Sequence, residues 1–452
     1  MKNSSTELFE NRPVRQAVVA LVVPTIISQL ITVIYNMADT VFIGQMGDSN
    51  QVAAATLAMP VFVMLTGIAN LFGIGGSSLI SRSLGEGNRE KAKHCAAFSI
   101  WTAVVLAFLY GLVLLVFRPV ILPAIGTDDS TYALCYRYTF WTITVGAVPT
   151  VLNAELAHLI RSEGHSRQAS IGMAFGGILN IALDPVFIFL FRLEIAGAAI
   201  ATMLSNLAAT IYFLILICLR RERSVITLNP RYYTWKEGIL KEILLVGLPS
   251  ALMSFMGIVS NVVLNRLVSA YSSEAVAGMG IAKKIDLLAF AIATGMSQGV
   301  LPLIGYTYAA KNYERMRNVI RTTFLYSMLI AGIGTVFLFT CAVHVSRFFI
   351  NDEATVTYGQ HFLRVICTTC PCVSVTTMMI TLFQATGSKI QPMVLSLLRK
   401  GCLDVPFMFL MNHLVGVNGI AWAVPIADTL AMATSICLFI PFWRRLYEKT
   451  AE

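Results

Sequence analysis

Charge is what this sequence has little of. Only 13% of its 452 residues are Asp, Glu, Lys or Arg, about half the roughly 25% of soluble globular proteins. That shortage excludes a water-soluble enzyme with a solvated surface. Histidine is also sparse, and His94, His158, His165, His344, His361 and His413 are scattered along the chain, so no clustered His metal centre is expected. There is no P-loop, HExxH or nucleophile elbow, which removes ATP-driven pumping and the common hydrolytic chemistries. The chain is therefore not expected to be an enzyme, and no cofactor is expected. The net charge of +9 does not point to nucleic acid, because the basic residues fall between apolar runs and not on one patch. No cleavable leader is expected either: the N-terminal stretch is polar, and the first apolar run, from about Ala17, is too long for a signal peptide. Of nine cysteines, Cys218, Cys341 and Cys437 lie inside apolar runs. Cys367, Cys370 and Cys372 have CxxC spacing, but no second Cys/His pair accompanies them, so they read as small packing residues.

What is abundant is apolar sequence. Hydrophobic residues make up 56% and mean hydropathy is +0.72. Twelve apolar segments stand out, at about 16–43, 52–80, 94–117, 132–158, 168–191, 195–219, 242–270, 275–306, 319–345, 358–385, 390–411 and 417–442. In hydrocarbon every backbone polar group must be paired internally, so these are expected to be twelve transmembrane helices. The expected class is an all-α polytopic membrane protein. With a cytoplasmic N-terminus, inside loops hold most Lys and Arg, including Arg82, Arg89, Arg161, Arg167, the linker's Arg220 to Lys241 with Lys236, Lys311, Arg315, Lys389 and Arg444. Outside loops hold little beyond Arg118, Arg192 and Arg347. The positive-inside rule then puts both termini in the cytoplasm.

The chain also repeats. Pro24 to Asn36 matches Pro249 to Asn261, GEGNREKAK matches AAKNYERMR, RSEG at Gly164 matches QATG at Gly387, and Gly197 matches Gly419. The offset is nearly constant, which indicates a duplicated six-helix domain. The expected organisation is an N-terminal lobe over 1–219, a basic linker over 220–241 and a C-terminal lobe over 242–452, with a substrate path between lobes as in parallel-repeat transporters.

Ionisable groups inside such segments need a partner or a water-filled cavity. In the first half these are Asp39 in segment one and Asp184 in segment five, roughly 6 and 10 Å below the outer helix ends. Thr202 and Tyr138 lie at a similar depth. Tyr35 is one turn from Asp39, and Asn180 one turn from Asp184, on the same faces. Pro185 removes a backbone donor and should bend segment five. Carboxylates among neutral oxygens suit a monovalent cation or a proton. The bland alternative is that each Asp only caps local backbone.

The runs NMADTVFIGQMG, LNIALDP and LFQATG, set in duplicated six-helix halves, resemble the multidrug and toxic compound extrusion (MATE) family. The likeness is to its DinF branch, with its MepA-type bacterial exporters, and it covers nearly the whole chain. The resemblance implies the MATE fold and a cation-coupled (H+ or Na+) antiporter that exports small organic molecules by alternating access from a bacterial plasma membrane. It implies a cation site, including any Na+, at Asp39, Asn180, Asp184 and Thr202, with Tyr138 and Asn153 in the surrounding polar network. It also links Glu155 to substrate handling, although a salt bridge to a cytoplasmic-side Arg is an equal alternative.

The second half carries Lys283, Lys284 and Asp286 in segment eight, Arg399, Lys400 and Asp404 in segment eleven, and Asp428 in segment twelve. These either neutralise one another and hold the lobe together, or form a charged wall that binds substrate or switches with protonation. Four bases against three acids would tolerate an anionic or zwitterionic substrate. The expected partners are a small-molecule substrate and the lipid bilayer, with no nucleic acid and no ATP, for a chain working as a monomer. The alternative function is a lipid-linked precursor flippase of related fold, in which the same bases would meet a pyrophosphate. The GxxxG pair Gly172 and Gly176, and Gly73, Gly75 and Gly76, read as close helix contacts. A scatter of Met (Met253, Met256, Met279, Met296, Met378, Met379) reads as packing more than as an adaptable cavity wall.

Overall fold

Helices begin where short polar side chains can take the first orphan N–H groups. In the computed structural model, which describes residues 7–235, 238–350 and 352–451, Asn88 accepts from the Lys91 amide and Asn312 from the Arg315 amide. These two caps are the reason GEGNREKAK and AAKNYERMR match: each opens the third long helix of its half. Asp48, Ser272 and Asp352 cap other helices in the same way. Lys236, part of the basic linker, lies outside the described residues.

The described residues are helical nearly throughout, with no strand. In order the helices are α1 (Val14–Gln45), α2 (Ser49–Gly85), α3 (Arg89–Ala124), α4 (Tyr132–Thr139), α5 (Ala147–Ser162), α6 (Ser166–Pro185), α7 (Glu194–Leu219), α8 (Ile239–Ser269), α9 (Ser273–Ala309), α10 (Tyr313–Phe349), α11 (Glu353–Cys367), α12 (Cys370–Ala385), α13 (Ile390–Leu397), α14 (Asp404–Val415) and α15 (Val417–Ala451). Among the described residues nine spans are long and apolar enough to cross a membrane alone, and α4–α5 and α11–α12 supply two more as bent pairs. The twelfth expected segment is α13 and α14, joined through a π-helical turn at Leu398–Leu403; it is not among the spans that are long and apolar enough by that measure. The chain is an all-α, polytopic membrane protein.

Three spans expected to be continuous are interrupted. The fourth bends by 53° at Gly146, where a Cβ would lie 2.6 Å from the Thr142 carbonyl oxygen. The tenth bends by 44° at Thr368–Thr369. There Pro371 lacks the N–H that would continue the ladder, and the Thr368 and Thr369 hydroxyls donate instead to the Val365 and Ile366 carbonyls. The eleventh widens to the π turn just before Pro406, a proline that likewise takes a donor out of the ladder. Most spans also run several residues beyond their apolar cores, because polar end turns remain helical.

Three repeat glycines have definite jobs. Gly164 and Gly387, at φ +83° and +74°, end α5 and α12 in the left-handed conformation that a side chain disfavours. Gly197 admits the Phe187 backbone, whose carbonyl oxygen would be 2.7 Å from an added Cβ. A Gly-x-Ser-x-Gly string runs from Gly295 to Gly299. It lies inside α9, where Ser297 Oγ donates to the Ala293 carbonyl (2.9 Å) and the glycines meet Ile26 and Val22. It is a helix contact, not a nucleophile elbow.

Contacts group the chain into two compact units. One comprises Ile27–Phe255 with the π turn Glu7–Asn11, and the other Arg12–Ile26 with the chain from Met256 onward. Each therefore contains part of α1 and part of α8. The first unit is built on Phe72, Phe98, Leu156 and Phe213, and the second on Leu264, Met279, Phe362 and Met408. In the first unit the basic linker is strapped down. Tyr233 stacks on Phe98 and Trp235 meets it edge-on, while Glu163 accepts from Ser224 Oγ and the Val225 amide.

Candidate ion-coupling site

The face of α6 is set by spacing. Ala169, Gly172, Gly176, Asn180 and Asp184 are all buried, at the three- and four-residue steps that keep one side of a helix together. Its glycines bring neighbours close: a Cβ on Gly177 would lie 2.8 Å from Ile31 and 2.9 Å from the Tyr35 ring, and one on Gly176 3.0 Å from Ala209. So α1 and α7 press against the turn below Asn180. The GxxxG pair packs as expected, with Gly172 facing Phe213 and Tyr212.

Asn180 joins the site. Its Nδ2 donates to Asp184 Oδ1 and to Thr202 Oγ1, both at 3.3 Å. Asn180 and Asp184 are 1% and 0% exposed. Asp184 Oδ2, Asn180 Oδ1 and Asp39 Oδ1 are buried without a hydrogen-bond partner. Asp39 acts electrostatically on Asp184, and both act on Tyr138 together with Tyr35. Beyond Asp184 the regular helix stops at Pro185 and continues as the π turn Val186–Leu190. A buried oxygen with no partner is costly; two carboxylate oxygens and one amide oxygen in one unit form a set that a cation or proton would satisfy.

A cavity of about 120 Å³ opens beside Asn180, with Tyr35, Thr202, Asn153 and Met173 also in its wall; Asp39 and Asp184 lie behind that wall. The cavity has room for several waters. Sequence reading missed part of its lining. Asn153 Nδ2 donates to Asn206 Oδ1 (2.9 Å), and Asn206 Nδ2 to Thr150 Oγ1 (3.1 Å). Asn206 follows Thr202 by four residues and Thr150 precedes Asn153 by three, so helical spacing from residues already chosen was the available signal. Tyr138 is buried among Ile188, Ile195 and Ala198.

Glu155 is not in the cavity wall. It is wholly buried in α5, and neither carboxylate oxygen has a hydrogen-bond partner, so the salt bridge with an Arg weighed for it is not formed. Arg161, counted above as a loop cation, is instead in the last turn of α5 and 1% exposed.

In the second unit the charged residues pair. Lys283 meets Asp286 at 2.6 Å, Arg399 meets Asp428 at 2.8 Å and Lys400 meets Asp404 at 3.4 Å. Ser260 Oγ also donates to Asp404 (2.6 Å), and Arg399 lies over the Phe290 ring. Lys284 makes none of these bonds. All nine cysteines are free, and among the described residues no three His, Cys, Asp or Glu side chains gather as a metal site.

The family pattern MatE matches residues 24–186 and again 249–410, once in each half. Multidrug export protein MepA of Staphylococcus aureus (strain MRSA252) is 31% identical over 100% of this chain and 99% of its own. The protein of the same name from Staphylococcus saprophyticus is 32% identical over 97% of each. A crystal structure of MATE in the straight conformation superposes with a TM-score of 0.91, at 23% identity over 100% of both chains, which bears on the fold. Matched in both halves and aligned with these relatives almost end to end, the chain belongs to the MatE family and is a MepA-like transporter.

Proposed function

We propose that this protein exports small organic molecules across the bacterial plasma membrane in exchange for H+ or Na+, by alternating access and with both termini in the cytoplasm. The MepA relatives are named multidrug export proteins, which supports a drug-like substrate. The observation that carries the coupling is the Asp184–Asn180–Thr202 cluster, with unpartnered oxygens on Asp184, Asn180 and Asp39. The coupling ion is cargo here: Asp184 Oδ2 and Asp39 Oδ1 supply charge, and Asn180 Oδ1 a neutral ligand. Tyr35, Tyr138 and Asn153 shape the polar surroundings, and Glu155 is a further acid on the substrate side. In the second half, Lys283, Lys284, Asp286, Arg399, Lys400, Asp404 and Asp428 form a wall in which Lys284 is the cation left over for an anionic group on a zwitterionic substrate. The flippase alternative draws no support from this wall, because three of the four bases a pyrophosphate would need are engaged by carboxylates.

The test is substrate efflux from proteoliposomes, titrated in pH and in sodium. Substrate should dissipate a pH gradient or drive sodium flux in wild type, and Asp39→Asn and Asp184→Asn should each abolish that coupling. Coupled transport that survives Asp184→Asn sinks the mechanism.

A further inference from the structure

Arg161 is a guanidinium buried without a counter-ion. Its Nη2 donates to Ser28 Oγ of α1 (3.3 Å) and to Met173 Sδ of α6 (2.8 Å), while Nε and Nη1 have no partner. Ser170 Oγ donates to the same Ser28 hydroxyl (3.3 Å). None of these partners is an acid. Glu155 lies six residues earlier on α5, roughly 9 Å along the axis, and its oxygens are unbonded. Glu163 is taken up by Ser224 and Val225. An arginine stays charged at any pH a cell meets, so this position carries a positive charge that its own contacts do not neutralise.

The charge sits at one end of the cavity. Met173, which Arg161 touches, lines that cavity along with Asn180 and Thr202. Asp184 follows Met173 by eleven residues, roughly 16 Å along the helix. The repeat provides an internal control: RSEG aligns with QATG, which places neutral Gln384 at the position of Arg161. Gln384 is buried too, at 2%. Closing this helix end therefore does not require a cation, and the charge occurs in the half that holds Asp39 and Asp184.

We propose that Arg161 is an electrostatic stop at the floor of the cavity. It lets the coupling cation reach Asp184 from one side and bars its passage through the lobe to the other. A fixed positive charge in a narrow, low-dielectric passage repels both H+ and Na+, as positive barriers do in water-conducting pores. Without such a stop, an antiporter leaks its driving ion and loses coupling. The inference rests on the ion-coupled reading above.

The experiment measures substrate-independent dissipation of a pH or sodium gradient in proteoliposomes. Arg161→Gln, which copies the repeat, should raise the leak at least tenfold, and Arg161→Lys should leave it within twofold of wild type. Ser28→Asp keeps the arginine but gives it a counter-ion, and should also leak. Adding Asp184→Asn to Arg161→Gln should suppress the leak, because the ion travels through the cavity. Failure of wild type to couple substrate to either ion would bring down the transport reading itself. Given wild-type coupling, tight vesicles with both Arg161→Gln and Ser28→Asp overturn the stop. So does a leak that persists after Asp184→Asn, or loss of folded protein in both variants by size-exclusion chromatography, which would make Arg161 a structural tie.

Discussion

Replacing Asp428 by Leu tests whether the second-unit charges hold the structure together. Arg399 and Asp428 are 3% and 4% exposed at their side chains and 2.8 Å apart. Removing the acid leaves a buried guanidinium whose Nη1 already lacks a partner. Breaking a buried pair in this way costs about 3–5 kcal/mol. The Phe290 ring, 5.2 Å from the guanidinium, is there with or without the acid and leaves that cost in place. For a unit of roughly 200 residues, about 2–4 °C per kcal/mol predicts a fall in melting temperature on the order of 10 °C. Arg399→Met with Asp428→Leu removes both charges and should return to within about 1 kcal/mol of wild type, since well-packed apolar replacements of buried pairs are often neutral. The assay is thermal unfolding in detergent, followed by efflux from proteoliposomes. A single variant as stable as wild type, or a double variant no more stable than the single, refutes the reasoning. A stable double variant that has lost transport would assign the pair to substrate handling.

Gly177→Val should push Tyr35 away from the cavity and destabilise the first unit by about 1–3 kcal/mol, because even a Cβ there would approach Ile31 and the Tyr35 ring within 3 Å; melting and cation affinity should fall together. Thr202→Val keeps the shape of the site but removes an oxygen bonded to Asn180, and should weaken cation affinity by roughly tenfold, about the worth of one hydrogen bond, read from the ion dependence of efflux. Asp128 accepts from Thr131 and Ser130, which hold its carboxyl down at about 2. A lowered folded-state pKa stabilises above the ordinary carboxylate range, near 3.9, and that contribution is lost as pH falls through about 2. Hydrogen exchange around Thr131 should therefore show the same protection at pH 5 and pH 7 after correction for intrinsic rates, and Asp128→Ala should lose it at both.

The sequence alone determined the features that depend on order along one chain. Hydropathy marked the spans because a bilayer demands long apolar helices. The duplication was visible because its helix caps and left-handed helix ends need particular residues at Asn88 and Asn312, Gly164 and Gly387. Asn180 and Asp184 could be placed on one face from helical spacing, and Pro185 marked the end of the regular helix. What the sequence could not reveal is which way each helix faces. In a membrane protein the lipid side and the packed side are both apolar, so the amphipathic stripe that orients a soluble helix is faint. Only the tertiary structure joined Asn180 to Thr202, drew Asn206 and Thr150 into the same cavity, and turned Arg161 inward from its expected place in a loop. Glu155 shows the same limit, since an acid near a helix end reads as a salt-bridge partner until its neighbours are known. The second-half charges paired three by three because side-chain partners across helices depend on rotation and depth, which are set by packing in three dimensions.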